Sequence, residues 1–170
     1  DEWVRKNSKD KFDKNGELAQ TGKTHNIILN QAVERFDNIK NDNNISFDVK
    51  DFDLNFVRGL SLKDGLSTLT DFTATIISQS IISLNKDMGL NILICGGGRK
   101  NLTLINSIKN KLPYRMKLFP IDDYKINGDY VESQAFAYLA IRSYLKKIIS
   151  FPKTTNVKNP SLGGVIVENY

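Results

Sequence analysis

The chain is 170 residues long with a net charge of +5 from 24 basic and 19 acidic residues, which suits one domain with a real core and is too short for two of ordinary size. The charges are mixed and often adjacent, as in Lys9-Asp10-Lys11 and Lys63-Asp64; this is a solvated surface and argues against a nucleic-acid partner, which needs basic residues clustered on one face. One cysteine and one histidine exclude an internal disulfide framework and a zinc site of the usual Cys/His type, and no apolar run approaches the roughly 18 residues of a spanning helix.

The opening Asp1-Glu2-Trp3-Val4 has no initiator methionine and already reads as helical, so the chain is expected to begin inside a larger protein, with Asp1 to Asn7 the end of a helix. Lys9 to Gly16 predicts a turn-rich loop, because Asn15-Gly16 supplies positive φ. After Gly22 and Thr24, apolar Ile28, Leu29, Ala32, Val33 and Phe36 mark one face of a helix. Asn38 to Asn44 reads as an asparagine-rich connector, and Phe47 to Leu62 as short apolar clusters without a clear element. Asp64 to Leu84 is the clearest helix, with Leu66, Leu69, Phe72, Thr73, Ile76, Ile77, Ser80, Ile81 and Leu84 in one stripe, ended by Lys86 to Gly89.

Ile92-Leu93-Ile94-Cys95 then shows no polar alternation and predicts a strand buried on both faces of a parallel sheet, with Cys95 as a small apolar residue closing it. A helix follows from Leu102 to about Leu112, where Pro113 stops it. Met116 to Phe119 is a second short strand. Gly128-Asp129 introduces a long helix with the stripe Val131, Ala135, Tyr138, Leu139, Leu145, Ile148 and Ile149, and in the tail Gly163 to Val167 predicts a short edge strand. The order helix, strand, helix, strand, helix after residue 64 is that of an α/β unit with parallel strands. Two such strands need neighbours, so further strands are expected upstream of Asp1.

Ile94-Cys95-Gly96-Gly97-Gly98-Arg99-Lys100-Asn101 places three glycines at the carboxyl end of a strand, where open α/β sheets bind ligands. Glycine there serves either a tight strand-to-helix turn or the approach of a ligand to bare backbone. Asn101 stands where the next helix needs its N-cap. The segment lacks the G-x-G-x-x-G spacing and the lysine-serine ending of a Walker A loop, so neither a dinucleotide fold nor a P-loop is indicated. Asp129 reads as an N-cap and Glu132 as its N3 partner, although Glu132, at a second helix start, could also reach a ligand near Gly96 to Gly98. Thr68, Thr70 and Thr73 read as hydroxyls bonded back to carbonyls one turn earlier. His25 reads as a surface or capping residue, and Arg58 and Lys100 as solvated side chains.

Taken together, certain segments resemble the C-terminal portion of the anhydro-N-acetylmuramic acid kinases, members of the actin-like ATPase superfamily. The resemblance is carried by Asp1-Glu2-Trp3 with Phe12-Asp13-Lys14-Asn15-Gly16, by Phe52-Asp53-Leu54 with Arg58-Gly59-Leu60-Ser61, and by Thr68-Leu69-Thr70-Asp71-Phe72-Thr73-Ala74. It continues through Cys95-Gly96-Gly97-Gly98 with Asn101, and Gly128-Asp129-Tyr130-Val131-Glu132-Ser133-Gln134-Ala135-Phe136-Ala137. These lie in family order along nearly the whole chain.

The resemblance implies an α/β fold: residues 1–170 as the C-terminal, nucleotide-binding part of an actin-like (ribonuclease H-like) domain, helix-rich with few parallel strands. It implies a cytoplasmic kinase of peptidoglycan recycling that cleaves the 1,6-anhydro bond of the sugar with water while transferring the γ-phosphate of ATP. Gly96, Gly97, Gly98 and Asn101 carry over as nucleotide contacts and Glu132 as a sugar contact; Asn127 and Ser133 stand where family members often have aspartate and alanine. Magnesium is implied with ATP, and a homodimer is a possible assembly. The resemblance places the general-base aspartate, most sugar contacts and one phosphate loop in an N-terminal lobe, and a further glycine-rich D-T-G-P-G-N phosphate segment just before Asp1; none is in these residues, so no catalytic residue is assigned here. A truncated, non-catalytic nucleotide- or partner-binding module of the same superfamily is the alternative.

Overall fold

In a computed structural model, residues 1–42, 52–84 and 89–167 are described. They divide into two units, Asp1–Pro120 and Ile121–Tyr170. The described helices include none long and apolar enough to cross a membrane.

The first unit opens with α1 (Glu2–Asn7) and the short α2 (Glu17–Thr21), followed by α3 (Asn26–Asp42) and the long α4 (Leu62–Leu84). Strand β1 (Leu90–Ile94), α5 (Leu102–Lys111) and β2 (Met116–Pro120) complete it. The strands pair in parallel, with Ile92 opposite Leu118 and Ile94 opposite Pro120. The result is a helix-rich α/β unit built on two parallel strands.

Periodicity explains how α4 organises this unit. Around its circumference, Leu66 joins Trp3, Val4, Ala19 and Val57; Phe72 joins Leu29, Ala32 and Phe36; and Ala74, with Ile81 and Ile82, joins α5 and the sheet. One helix of 23 residues thus touches three apolar clusters, because a helix apolar on several sides must be covered on several sides. Its start is capped by Ser61, whose Oγ accepts from the Asp64 amide at 3.1 Å and donates to the Asp64 carboxylate at 2.8 Å.

Several expectations are corrected. The strand predicted to be buried on both faces is one-sided: Leu90, Ile92 and Ile94 face the cluster formed by α4 and α5, while Leu93 is 44% exposed. Both helices pack on the same face, so the alternate residues are left outside, and Cys95 is an exposed free thiol instead of a buried apolar residue. The connector expected from Asn38 is helical through Asp42, because Ile39 prolongs the apolar spacing begun at Leu29. Residues 43–51 and 85–88, where part of that connector, part of the Phe47 to Leu62 segment and the predicted stop of the long helix fall, lie outside the described residues.

The second unit holds α6 (Val131–Tyr144) and the short α7 (Pro152–Thr155). Helix α6 ends at Tyr144, short of the predicted Ile149. The predicted stripe is not buried: Tyr138 on the helix and Leu145 and Ile148 beyond it are exposed. The backbone turns after Tyr144, with Lys146 at positive φ, and the Arg142 guanidinium closes that turn by donating to the Ile148 carbonyl at 2.6 Å. No strand forms at Gly163 to Val167; among the described residues of this tail, pairing is a single antiparallel bridge between Ser150 and Ser161, and Ser143 Oγ donates to the Gly163 carbonyl.

Candidate functional site

The glycine turn follows β1 directly. Gly96 has φ 77° and ψ 176°, a conformation open to glycine and strained for any other residue. Gly97 to Lys100 form a single 3₁₀ turn. The Asn101 amide closes it by donating to the Gly98 carbonyl at 3.1 Å, and Arg99 Nη1 donates to the Gly96 carbonyl at 2.9 Å. A β-carbon on Gly96, Gly97 or Gly98 would meet no atom within 4 Å. These glycines are therefore not there to let neighbouring chain pack closely, which removes the simplest structural reason for three in a row.

Asn101 is the N-cap of α5, as its position predicts: its Oδ1 accepts from the Leu104 amide at 2.9 Å. The first turn of α5 is held from a distant part of the chain. Thr103 Oγ1 donates to the Gly16 carbonyl at 2.7 Å, and a β-carbon on Gly16 would fall 2.1 Å from Asn101 Oδ1. Asn15 at φ 57° and Gly16 at φ 76° make the turn that presents this carbonyl, as the Asn-Gly pair predicts. Asp13 fixes the loop by accepting from the Leu18 and Ala19 amides, both at 2.9 Å. Sequence reasoning found the turn and missed its target, because the hydrogen bond joins residues 87 positions apart.

One rung further along α5, Ser107 Oγ donates to Asp71 Oδ1 at 2.5 Å. Thr24 Oγ1 donates to Oδ2 at 2.7 Å, and Lys111 Nζ lies 3.6 Å from Oδ1. Burial pushes the pKa of this carboxyl group up, but the hydrogen bonds from Ser107 and Thr24 and the Lys111 charge outweigh it and hold the pKa below the ordinary aspartate value. Asp71 thereby ties α4 to α5 and to the segment before α3. The sequence assigned it no role, since its partners come from two separate stretches, Thr24 before α3 and Ser107 with Lys111 on α5.

The remaining assignments divide. Thr68 and Thr73 bond back to the carbonyls of Asp64 and Leu69 at 2.8 and 2.9 Å, and Thr68 Oγ1 also accepts from the His25 amide. His25 is a cap: its Nδ1 accepts from the Ile28 amide at the start of α3. Arg58 and Lys100 are exposed. Asp129 is not the N-cap of α6; that position is Tyr130, because the Asn127 side chain takes the Asp129 amide at 3.0 Å and turns the chain one residue later. Glu132 is consequently at N2 instead of N3, exposed in the first turn of α6. It lies in the second unit, whereas Gly96, Gly97, Gly98 and Asn101 lie together in the first.

Among the described residues no three histidine, cysteine or carboxylate side chains converge on a point where a metal could sit.

Comparison with known families gives one match over nearly the whole chain: the family described as anhydro-N-acetylmuramic acid kinase matches residues 1–169. A protein of that name from Pelagibacter ubique (strain HTCC1062) is 61% identical over 173 residues, covering 100% of this chain and 46% of its own length. Its counterpart in Zymomonas mobilis is 36% identical, covering 98% of this chain and 44% of its own length. That of Caulobacter vibrioides is 34% identical, covering 92% and 41%. The chain spans about half the length of the curated relatives it matches.

Proposed function

Because the chain belongs to the anhydro-N-acetylmuramic acid kinase family, we propose that it supplies the nucleotide-binding, C-terminal part of a cytoplasmic kinase that acts in peptidoglycan recycling. The whole enzyme would convert 1,6-anhydro-N-acetylmuramic acid, ATP and water to N-acetylmuramic acid 6-phosphate and ADP. Residues 1–170 would form the C-terminal portion of an actin-like, ribonuclease H-like domain, whose other lobe completes the sheet beside β1 and β2 and brings the base aspartate that activates water. Phosphoryl transfer depends on placing nucleophile, metal and phosphates together, so turnover belongs to both lobes and the 170 residues alone are expected to show none.

The observation that carries this reading is the open glycine turn. Gly96, Gly97 and Gly98 stand at the carboxyl end of a parallel strand with no atom near their missing β-carbons, where a nucleotide can lie against bare backbone. Asn101 Oδ1 is committed to the Leu104 amide, so the group it offers a nucleotide is the Nδ2 donor. Glu132, exposed at the start of α6, would take a sugar hydroxyl. ATP would carry magnesium on its own phosphates.

Titrating the 170-residue chain with ATP while following its melting temperature tests the nucleotide half. A ligand that binds only the folded state raises that temperature with concentration. Gly97→Val, which fills open space and leaves the fold alone, should abolish the shift without changing the unliganded melting temperature. A well-folded wild type with no ATP-dependent shift overturns the assignment.

A further inference from the structure

We propose that Gly16 and Thr103 are positioning residues for the nucleotide turn, and that Asp13 to Gly16 form a brace fixing the side chain that faces the nucleotide. The ligand in this inference rests on the nucleotide reading above; the brace rests on geometry of its own.

The brace is anchored in the core. Ala19 is buried and Leu18 packs with it against Trp3 and Val4, so the start of α2 cannot drift. Asp13 ties the loop to that start through the Leu18 and Ala19 amides. The positive φ of Asn15 and Gly16 then aims the Gly16 carbonyl at α5, where Thr103 Oγ1 binds it. Gly16 has no β-carbon to keep Asn101 away, and a β-carbon would overlap Oδ1.

Helix α5 does not need this contact in order to exist. Asn101 already caps it, and Ile105, Ile108 and Leu112 already bury its apolar face. What the brace adds lands on the first turn, beside Asn101, which is joined both to the glycine turn, through the Gly98 carbonyl, and to the helix, through the Leu104 and Ile105 amides. A side chain held before the ligand arrives need not be ordered by it. Losing the brace should therefore appear in affinity more than in folding.

The test measures ATP affinity and unliganded stability in the same variants of the 170-residue chain. Thr103→Val keeps the shape of the side chain and removes the donor; it should raise the ATP dissociation constant about five- to tenfold, the scale of one ordered side chain or hydrogen bond. Thr103→Ser keeps the hydroxyl and should stay within about twofold of wild type on the same scale. Asp13→Asn removes charge at the far end of the brace without touching α5 and should weaken binding in the same direction. Wild-type affinity in both Thr103→Val and Asp13→Asn overturns the proposal, as does Thr103→Ser binding as weakly as Thr103→Val.

Amide hydrogen exchange separates this inference from the nucleotide reading. Should the wild type bind no ATP, that reading fails, and the brace is decided by the Asn101 and Leu104 amides alone. Faster exchange at both in Thr103→Val than in Thr103→Ser supports the brace; equal exchange overturns it.

Discussion

Trp3 packs directly on the α-carbon of Gly65: a β-carbon there would lie 2.5 Å from the indole Nε1 and 2.6 Å from Cε2. The ring cannot withdraw freely, because Nε1 donates to the Leu62 carbonyl at 3.2 Å and its body is buried among Val4, Ala19, Val57 and Leu66. Two effects oppose each other in Gly65→Ala. Helix propensity favours alanine by about 1 kcal/mol, whereas overpacking a rigid ring costs about 1–3 kcal/mol and a displaced indole loses a further hydrogen bond of about 1 kcal/mol. The clash wins, and Gly65→Ala should destabilise the first unit by about 1–3 kcal/mol in denaturant unfolding. A stabilised variant would mean that the indole relocates at no cost.

Asp71 sets a pH dependence whose sign follows from its partners. Its pKa in the folded state is lowered, so the stability it contributes is present above the unfolded value of about 4 and is lost as pH falls through the lower folded value. Wild-type stability should therefore decline as pH drops below about 4. Asp71→Asn, which cannot ionise, should start lower at neutral pH and decline less steeply. Asp64, also lowered, first by the Lys23 amide and then by the Ser61 hydroxyl, keeps part of the slope in that variant. Equal slopes for the two proteins between pH 6 and pH 2 would show that the Thr24, Ser107 and Lys111 contacts do not depend on the charge.

Local signals in the sequence were sufficient for elements whose cause is local. Asn15-Gly16 gave its turn, Asn101 its cap, and Leu66, Phe72 and their neighbours the long helix. What failed depended on how many faces an element covers. Ile92-Leu93-Ile94-Cys95 has the composition of a strand buried on both sides, yet α4 and α5 both lie against Ile92, and nothing in an apolar run says which face its partners choose. The stripe of α6 failed likewise: an apolar spacing specifies a face to be covered and is silent about what covers it. Gly22 reads as a residue preceding a helix and Gly65 as part of one, but their reasons are contacts with Lys63 and Trp3, which only the folded chain brings together.

The three glycines of the turn should not respond alike to alanine. Gly96 is at φ 77° and ψ 176°, where a β-carbon costs about 1–3 kcal/mol of backbone strain even with open space around it. Gly97 and Gly98 carry no such φ and have no atom within 4 Å of the β-carbon position, so alanine there should leave thermal stability within about 0.5 kcal/mol of wild type. A loss at Gly98 as large as at Gly96 would mean that the turn is packed more tightly than its open surroundings indicate.

Asn101 combines a structural and a ligand-facing role, and two substitutions separate them. Serine is as good an N-cap as asparagine, whereas alanine has no side-chain acceptor for the Leu104 amide and costs about 1 kcal/mol. Asn101→Ser should therefore melt close to wild type and Asn101→Ala below it. Neither retains the Nδ2 donor, which is the group left to a nucleotide once Oδ1 is engaged at 2.9 Å with Leu104. Both should then bind ATP about tenfold more weakly, the scale of one lost hydrogen bond. The informative case is serine, stable but weak in binding, because a purely structural asparagine predicts the opposite pairing: wild-type affinity in Asn101→Ser, with any deficit in Asn101→Ala tracking its lower melting temperature.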